Sequence, residues 1–259
     1  MNTFQEVLNA CYVDSSNPNL VMLPEGKLDR KVYEAVAKKL ECIGGKWTRK
    51  AGGFLFPHNP TDLLDQVKGG EEINLKKQYQ FFPTPPDIAD YLVELADIDN
   101  TDRVLEPSAG HGAIIDAIRR VAPTCQITAV ELMPECCAVL NTRKDVFVEV
   151  IQADFLDYRA NMLAIAKDTA RYDAIIANPP FSKNQDIAHV YAMYDLLKKR
   201  GSRLVSVMST HWERCLGKKE ADFRRFLEEV GAEIHDLPAG TFKESGTNVP
   251  AKIIVITNN

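Results

Sequence analysis

The chain has 259 residues, 45% of them hydrophobic and 26% charged, with a net charge of −5. That composition fits one large globular domain, or one with a small appendage, and excludes a low-complexity chain and a surface uniformly coated with nucleic acid, while leaving room for a local basic patch. No apolar run nears the roughly 18 residues of a membrane span, and Met1–Ala10 is polar where a secretory signal needs an apolar centre; a cytoplasmic protein, monomer or homodimer, with no membrane partner is expected.

Residues 1–75 read as a small N-terminal α+β segment. Lys27–Leu40 has helical spacing, with Leu28, Val32, Ala35, Val36 and Leu40 on one side, and Gly45–Lys50 with Gly52–Phe56 reads as a β-hairpin. Between Gly26 and Pro57 stand eight basic and three acidic residues. Lys46, Arg49 and Lys50 interleaved with Trp47 and Phe54 suit a nucleic-acid backbone; the same pattern equally describes an ordinary hairpin packed on its helix. Lys68–Glu72 and the polar Lys76–Gln78 read as a linker.

Residues 79–259 alternate strand and helix. A proline-stiffened entry, Phe81-Phe82-Pro83-Thr84-Pro85-Pro86, leads into a helix over Asp87–Ala96. Strands follow at Arg103–Leu105, Gln126–Val130, Val146–Val150, Tyr172–Ala177 and Arg203–Met208, with a closing pair at Ile234–Leu237 and Lys252–Thr257. Helices are expected over Gly112–Val121, Pro134–Asn141, Asp186–Lys199 and Phe223–Val230. This is the pattern of an α/β fold: a Rossmann-like, mostly parallel sheet covered on both faces, its last strand antiparallel. Ligands of such sheets sit at the carboxyl ends of the strands.

Four segments fall at those ends. Glu106-Pro107-Ser108-Ala109-Gly110-His111-Gly112 lets the backbone approach a ligand closely, without the Lys-Ser/Thr of a phosphate loop. Glu106 suits a cationic amine or a sulfonium-bearing amino acid. Glu131, at the end of the next strand, can grip ribose hydroxyls. Asp154 can accept from an adenine amino group, and Phe155 can flank the ring. Asn178-Pro179-Pro180-Phe181 forms a rigid receptor for a planar molecule bearing an NH2 group: the two prolines fix φ, Asn178 and the Pro179 carbonyl accept, and Phe181 stacks. Lys183 could touch phosphates nearby. His189 is expected to pack or orient. Trp212 could stack on a displaced base or fill the core, and Thr241-Phe242 with Gly246-Thr247 could form a second wall. The six cysteines show neither metal-ligand spacing nor a disulfide framework, and no metal is expected.

In order and spacing these motifs resemble those of class I S-adenosylmethionine-dependent methyltransferases, and Glu106–Gly112 resembles the Glu-Pro-Ser-Ala-Gly-x-Gly form of the N6-adenine DNA methyltransferases. The resemblance implies that Thr84 closes over the methionine carboxylate, that Glu106, Pro107, Ala109, Gly110 and Gly112 surround the methionine moiety, that Glu131 binds the ribose and Asp154 the adenine of the cofactor, and that Asn178–Phe181 is the catalytic motif. The motif order is γ-like, as in phage, plasmid or orphan enzymes. Restriction-linked members place a target-recognition region after the catalytic motif, whereas residues 182–259 here are nearly all needed for the last strands and helices. The implied activity is methylation of adenine N6 in DNA after base flipping. The alternatives are the same chemistry on RNA, a noncatalytic nucleic-acid-binding subunit and, more distantly, protein-glutamine methylation.

Overall fold

The computed structural model describes residues 3–75, 82–166, 171–198, 201–243 and 245–258. Two compact units divide the chain, residues 1–81 and 82–259. The expected linker residues Lys76–Gln78, with Phe81 and Lys199, lie outside the described residues.

In the smaller unit, helix α1 (Phe4–Ala10) opens on a reciprocal cap between Thr3 and Glu6. Strands β1 (Tyr12–Asp14) and β2 (Asn17–Met22) form an antiparallel pair turned by Asp14, which accepts from the Ser16 backbone at 2.7 Å. Helix α2 (Arg30–Cys42) starts where Asp29 caps Lys31 and Val32. The hairpin is β3 (Lys46–Thr48) and β4 (Gly53–Leu55), and it joins the first pair in a four-stranded sheet of order β1-β2-β4-β3. Helix α3 (Thr61–Lys68) follows. Its end and the Gly-rich residues beyond it are folded into this unit, for Lys39 Nζ donates to the Glu71 carbonyl at 2.8 Å. Val7, Val21, Val36, Leu40 and Phe54 are fully buried.

In the larger unit, helix α4 (Pro86–Ala96) begins with proline in its first turn. Then come β5 (Arg103–Glu106), α5 (Ala113–Val121), β6 (Gln126–Glu131), α6 (Pro134–Asn141), β7 (Val148–Gln152), α7 (Phe155–Ala166) and β8 (Ala174–Ala177). A single 3-10 turn over Ser182–Asn184 leads into α8 (Gln185–Asp195). The chain closes with β9 (Ser202–Ser209), the short α9 (His211–Arg214), α10 (Lys218–Glu229), β10 (Glu233–Asp236) and β11 (Ala251–Asn258).

The seven strands are ordered β10-β11-β9-β8-β5-β6-β7. The run β7-β6-β5-β8-β9 is parallel, and β11 is antiparallel to both β9 and β10. Apolar side chains alternate to opposite faces. Val205, Val207, Ile253 and Val255 meet α4 and α5 residues such as Leu92 and Ile118. Leu204, Met208, Ile254 and Ile256 meet Phe155 of α7, Ile187 of α8 and Phe223 of α10. A parallel sheet is stable only when both faces are covered in this way.

All six cysteines are free thiols, four of them buried and Cys42 and Cys215 partly exposed. Burial pushes the Cys11 thiol up to about 11 against the pull of Lys68.

The two tryptophans report on the two units separately, Trp47 beside Phe54 (ring centroids 5.2 Å apart) and Trp212 beside Phe223 (5.6 Å). Phe54→Ala is expected to cost about 3–5 kcal/mol. It should lower the denaturation midpoint read from Trp47 emission in a Trp212→Phe background. An unchanged midpoint would mean that the small sheet does not depend on this ring.

Candidate active site

The chain runs outward from β5 through β6 to β7, then returns to β8 on the other side of β5. The loops after β5 and β8 therefore part, and a crevice opens between them at the carboxyl edge. Four neighbouring parallel strands, β7, β6, β5 and β8, lead in that order to Asp154, Glu131, Glu106 and Asn178. Register fixes the row, since Glu106 pairs with Ala129 and Glu131 with Gln152.

Glu106 ends the central strand with 1% of its surface exposed, and its Oε2 has no hydrogen-bond partner among the described residues. Burial first, and the neighbouring Glu131 second, push its carboxyl well above the usual range, with Arg143 opposing. Burying an acid with one oxygen unsatisfied costs stability, so the fold retains a buried acceptor that no described residue satisfies.

Glu131 is organised differently. Its Oε2 accepts from the Gly110 N–H at 2.7 Å and its Oε1 from the Met133 N–H at 2.7 Å. Burial raises its pKa and these amides lower it. The bond to Gly110 ties the tip of the β5 loop to the end of β6, helped by the Ala109 N–H to the Val130 carbonyl at 3.1 Å. Gly110 and Gly112 have φ of 52° and 83°. The φ at Gly112 favours glycine, and a Cβ there would also press on the side-chain ends of Leu140 and Arg143, 2.8 Å from Leu140 Cδ2. Pro107 is buried beside this turn.

Asp154 is exposed and accepts from the Leu156 N–H at 2.7 Å, starting α7. Phe155, expected to flank a ring, is 3% exposed and lies in the core against His189, with ring centroids 5.3 Å apart. Burial pushes His189 down to about 4, against the pull of Asp154, and its Nδ1 is unpartnered among the described residues. This neutral imidazole packs.

Asn178 follows β8 directly. Its Nδ2 donates to Thr84 Oγ1 at 3.1 Å and, more weakly, to the Phe82 carbonyl at 3.4 Å. A carbonyl can only accept, so the NH2 end must face Phe82 and Thr84, and Oδ1 has no donor among the described residues. Thr84 is thus joined to the Asn-Pro-Pro-Phe segment, and Ser245 Oγ donates to the Pro83 carbonyl at 2.6 Å from the loop before β11. Pro179 is buried, while Pro180 and Phe181 are half-buried. Beyond them Lys183 and Asn184 both take left-handed backbone conformations, with φ of 56° and 60°. Two such residues in succession carry strain of the kind kept at functional loops.

Trp212 corrects one expectation. It is 3% exposed and packed edge-on against Phe223, so it is a core residue with no ring face left for a base. Phe242 is likewise buried. On the smaller unit Lys46, Arg49 and Lys50 are exposed, and Trp47, 39% exposed, sits edge-on to Tyr33 of α2 at 6.3 Å. The hairpin does pack on its helix while its basic residues face outward.

Sequence reasoning missed Asp186 and Glu220. Asp186, 1% exposed, accepts from the Ser209 N–H at 3.1 Å and hydroxyl at 2.7 Å, pinning α8 to the end of β9. Glu220 accepts from Asn184 Nδ2. An acid in the first turn of a helix ordinarily complements the helix dipole, so neither drew attention.

Residues 87–212 match the methyltransferase small domain family. The larger unit has a class I methyltransferase fold. A modification subunit of a putative type I restriction enzyme from Vibrio vulnificus superposes with a TM-score of 0.58 at 16% identity, over 88% of this chain and 53% of that one. The type I restriction-modification methyltransferase subunit from Streptococcus thermophilus gives 0.59 at 18% identity, over 88% and 54%. An O-methyltransferase from Bacillus cereus, in complex with SAH, gives 0.51 at 15% identity, over 68% and 83%. The chain spans about half the length of the two modification subunits. Residues 82–259 are about two thirds of the chain, so those two superpositions extend into the smaller unit.

An acid raised by burial is tolerated while protonated and costs stability as pH climbs from its unfolded value near 4.5 towards its folded one. Glu106→Gln should therefore gain Tm over the parent, on the order of a few °C, with the gain growing from about pH 5 to pH 8 in thermal melts. A loss of Tm at every pH would show that the carboxyl is paired.

Proposed function

We propose that this chain transfers a methyl group from S-adenosylmethionine to the N6 amine of adenine in DNA. The observation that carries the reading is Asn178: an amide oxygen with no donor among the described residues at the end of β8, its NH2 end held by Thr84 and Phe82, next in sequence to Pro179 and close to Phe181.

The residues on the cofactor side fit. Glu106 Oε2, without a partner among the described residues, is an acceptor for the methionine ammonium, and Gly110 and Gly112 in the turn beside it carry no side chain to obstruct the methionine. Glu131 keeps acceptor capacity for ribose hydroxyls beyond its bonds from the backbone amides. Asp154 keeps an oxygen for an adenine amine. Thr84 closes the methionine end, and Phe155 backs the pocket from the core. The matched family and the SAH-bound O-methyltransferase support this cofactor. When bound, it supplies a methyl group on a sulfonium, electrophilic without metal or covalent help.

The acceptor amine is a poor nucleophile because its lone pair is delocalised into the ring. Asn178 Oδ1 and the Pro179 carbonyl accept hydrogen bonds from its two N–H groups and draw the nitrogen towards tetrahedral geometry, and one of those protons is released to solvent as the bond to the methyl group forms. Pro180 keeps that backbone rigid, and Phe181 holds the ring by stacking. The protein's contribution is orientation and preorganised dipoles. In a duplex the base must leave the stack to reach this motif. The likeness to two type I modification subunits supports DNA as the polymer. Lys183 beside the motif, and Lys46, Trp47, Arg49 and Lys50 on the smaller unit, would contact its backbone.

The test is product analysis after incubation with S-adenosylmethionine and, separately, unmethylated duplex DNA, single-stranded DNA and RNA. N6-methyldeoxyadenosine is expected, falling about 100-fold or more in Asn178→Ala while cofactor binding by calorimetry stays measurable. Methylated adenosine in RNA alone would keep the chemistry and change the substrate. Cofactor binding with no methylated base would favour a noncatalytic subunit.

A further inference from the structure

Three described apolar residues are more than four-fifths exposed: Val146 (87%), Ile165 (83%) and Leu216 (94%). Val146 precedes β7 and Ile165 nears the end of α7, so both lie towards the amino edge of the parallel strands. Leu216 alone follows the carboxyl end of a parallel strand, in the loop between α9 and α10, on the side of the crevice where β8 delivers Asn178.

Single exposed leucines need no explanation in general. This one sits on a braced loop. Arg224 Nη1 donates to the Trp212 carbonyl and, at 3.0 Å, to the Cys215 carbonyl. A Cβ at Gly217 would lie 2.1 Å from Glu220 Oε2, so a side chain there would displace that carboxylate. Glu220, 7% exposed, takes the Asn184 amide, and Lys219 Nζ donates to the Asn184 carbonyl at 2.9 Å. Asn184 is the second of the two left-handed residues that follow the Asn-Pro-Pro-Phe motif. The loop carrying Leu216 is thus clipped to the loop carrying the proposed acceptor site. Arg214, Lys218 and Lys219 flank the leucine in sequence, all exposed, with exposed Lys183 across the clip. Of the neighbouring acids, Glu213 is occupied by Lys252 and Glu220 by Asn184.

Resting on the DNA reading above, we infer that Leu216 is a wedge that enters the base stack where the target adenine leaves it, while the surrounding cations hold the flanking phosphates. A rigid apolar tip ringed by positive charge is what inserting proteins present to a base step. The unstacking it offsets is needed only on duplex substrate. The clip through Asn184 and Glu220 would keep the wedge at a fixed distance from the Asn178 amide.

The experiment compares methylation of linear unmethylated plasmid DNA as duplex and after heat denaturation, read as N6-methyldeoxyadenosine, for the parent, Leu216→Ala and Leu216→Met. Long mixed-sequence DNA makes knowledge of the target unnecessary. Leu216→Ala should lose roughly tenfold on duplex and stay within about twofold on single strands, and Leu216→Met should recover most of the duplex rate. Because the side chain is solvent-exposed, no loss of Tm is expected. Equal losses on both substrates, unchanged rates on both, or a parent active on single strands alone would each overturn the wedge while leaving the methyltransferase reading intact. A parent that makes no N6-methyldeoxyadenosine on either substrate would overturn both.

Discussion

The switch in strand order at β5 organises the candidate site of the larger unit. β5 lies at the middle of the parallel run, the chain leaves it on one side towards β6 and β7, and it comes back on the other side at β8. Two consecutive loops on one side would close over each other; loops departing in opposite senses leave a crevice. Glu106 stands on one bank and Asn178 on the other, on strands that are hydrogen-bonded neighbours. The molecule accepts an uncomfortable group at this point, a buried acid with one oxygen unsatisfied among the described residues, beside a second acid. Everything nearby serves to hold the banks: Glu131 fastens the β5 loop through Gly110, and Thr84 fastens Asn178.

Much of this was legible because the signals are local. α6 starts and ends at Pro134 and Asn141 as expected, since proline at a first helical position sets φ and needs no donor. Strands buried on both faces read as unbroken apolar runs, and β6, β9 and β11 came within one residue of their expected ends. β7 was misplaced by two residues because Val146 looks like a strand residue and is in fact exposed before the strand begins.

What was not legible depends on tertiary partners. α7 has no clear apolar stripe in Phe155–Ala166, so periodicity gave no warning of it. β2 contains Pro18, which argues against a strand; it is tolerated because Pro18 falls outside the paired positions with both β1 and β4. The motif segments themselves were visible, but their connections were not. Nothing in the sequence says that Asn178 turns its amide to Thr84, that Trp212 is spent on Phe223, or that Glu220 reaches Asn184.

The thiols have a practical consequence. Cys11 and Cys137 are buried with pKa values pushed up to about 11, and Cys125 and Cys136 are buried and raised as well. Near neutral pH these groups are protonated and shielded, so they react slowly with maleimides. Cys42 and Cys215 are the partly exposed pair, one in each compact unit. The native chain thus offers one labelling position per unit, a built-in ruler for following the separation of its two units by energy transfer, with Cys215 adjoining the exposed leucine.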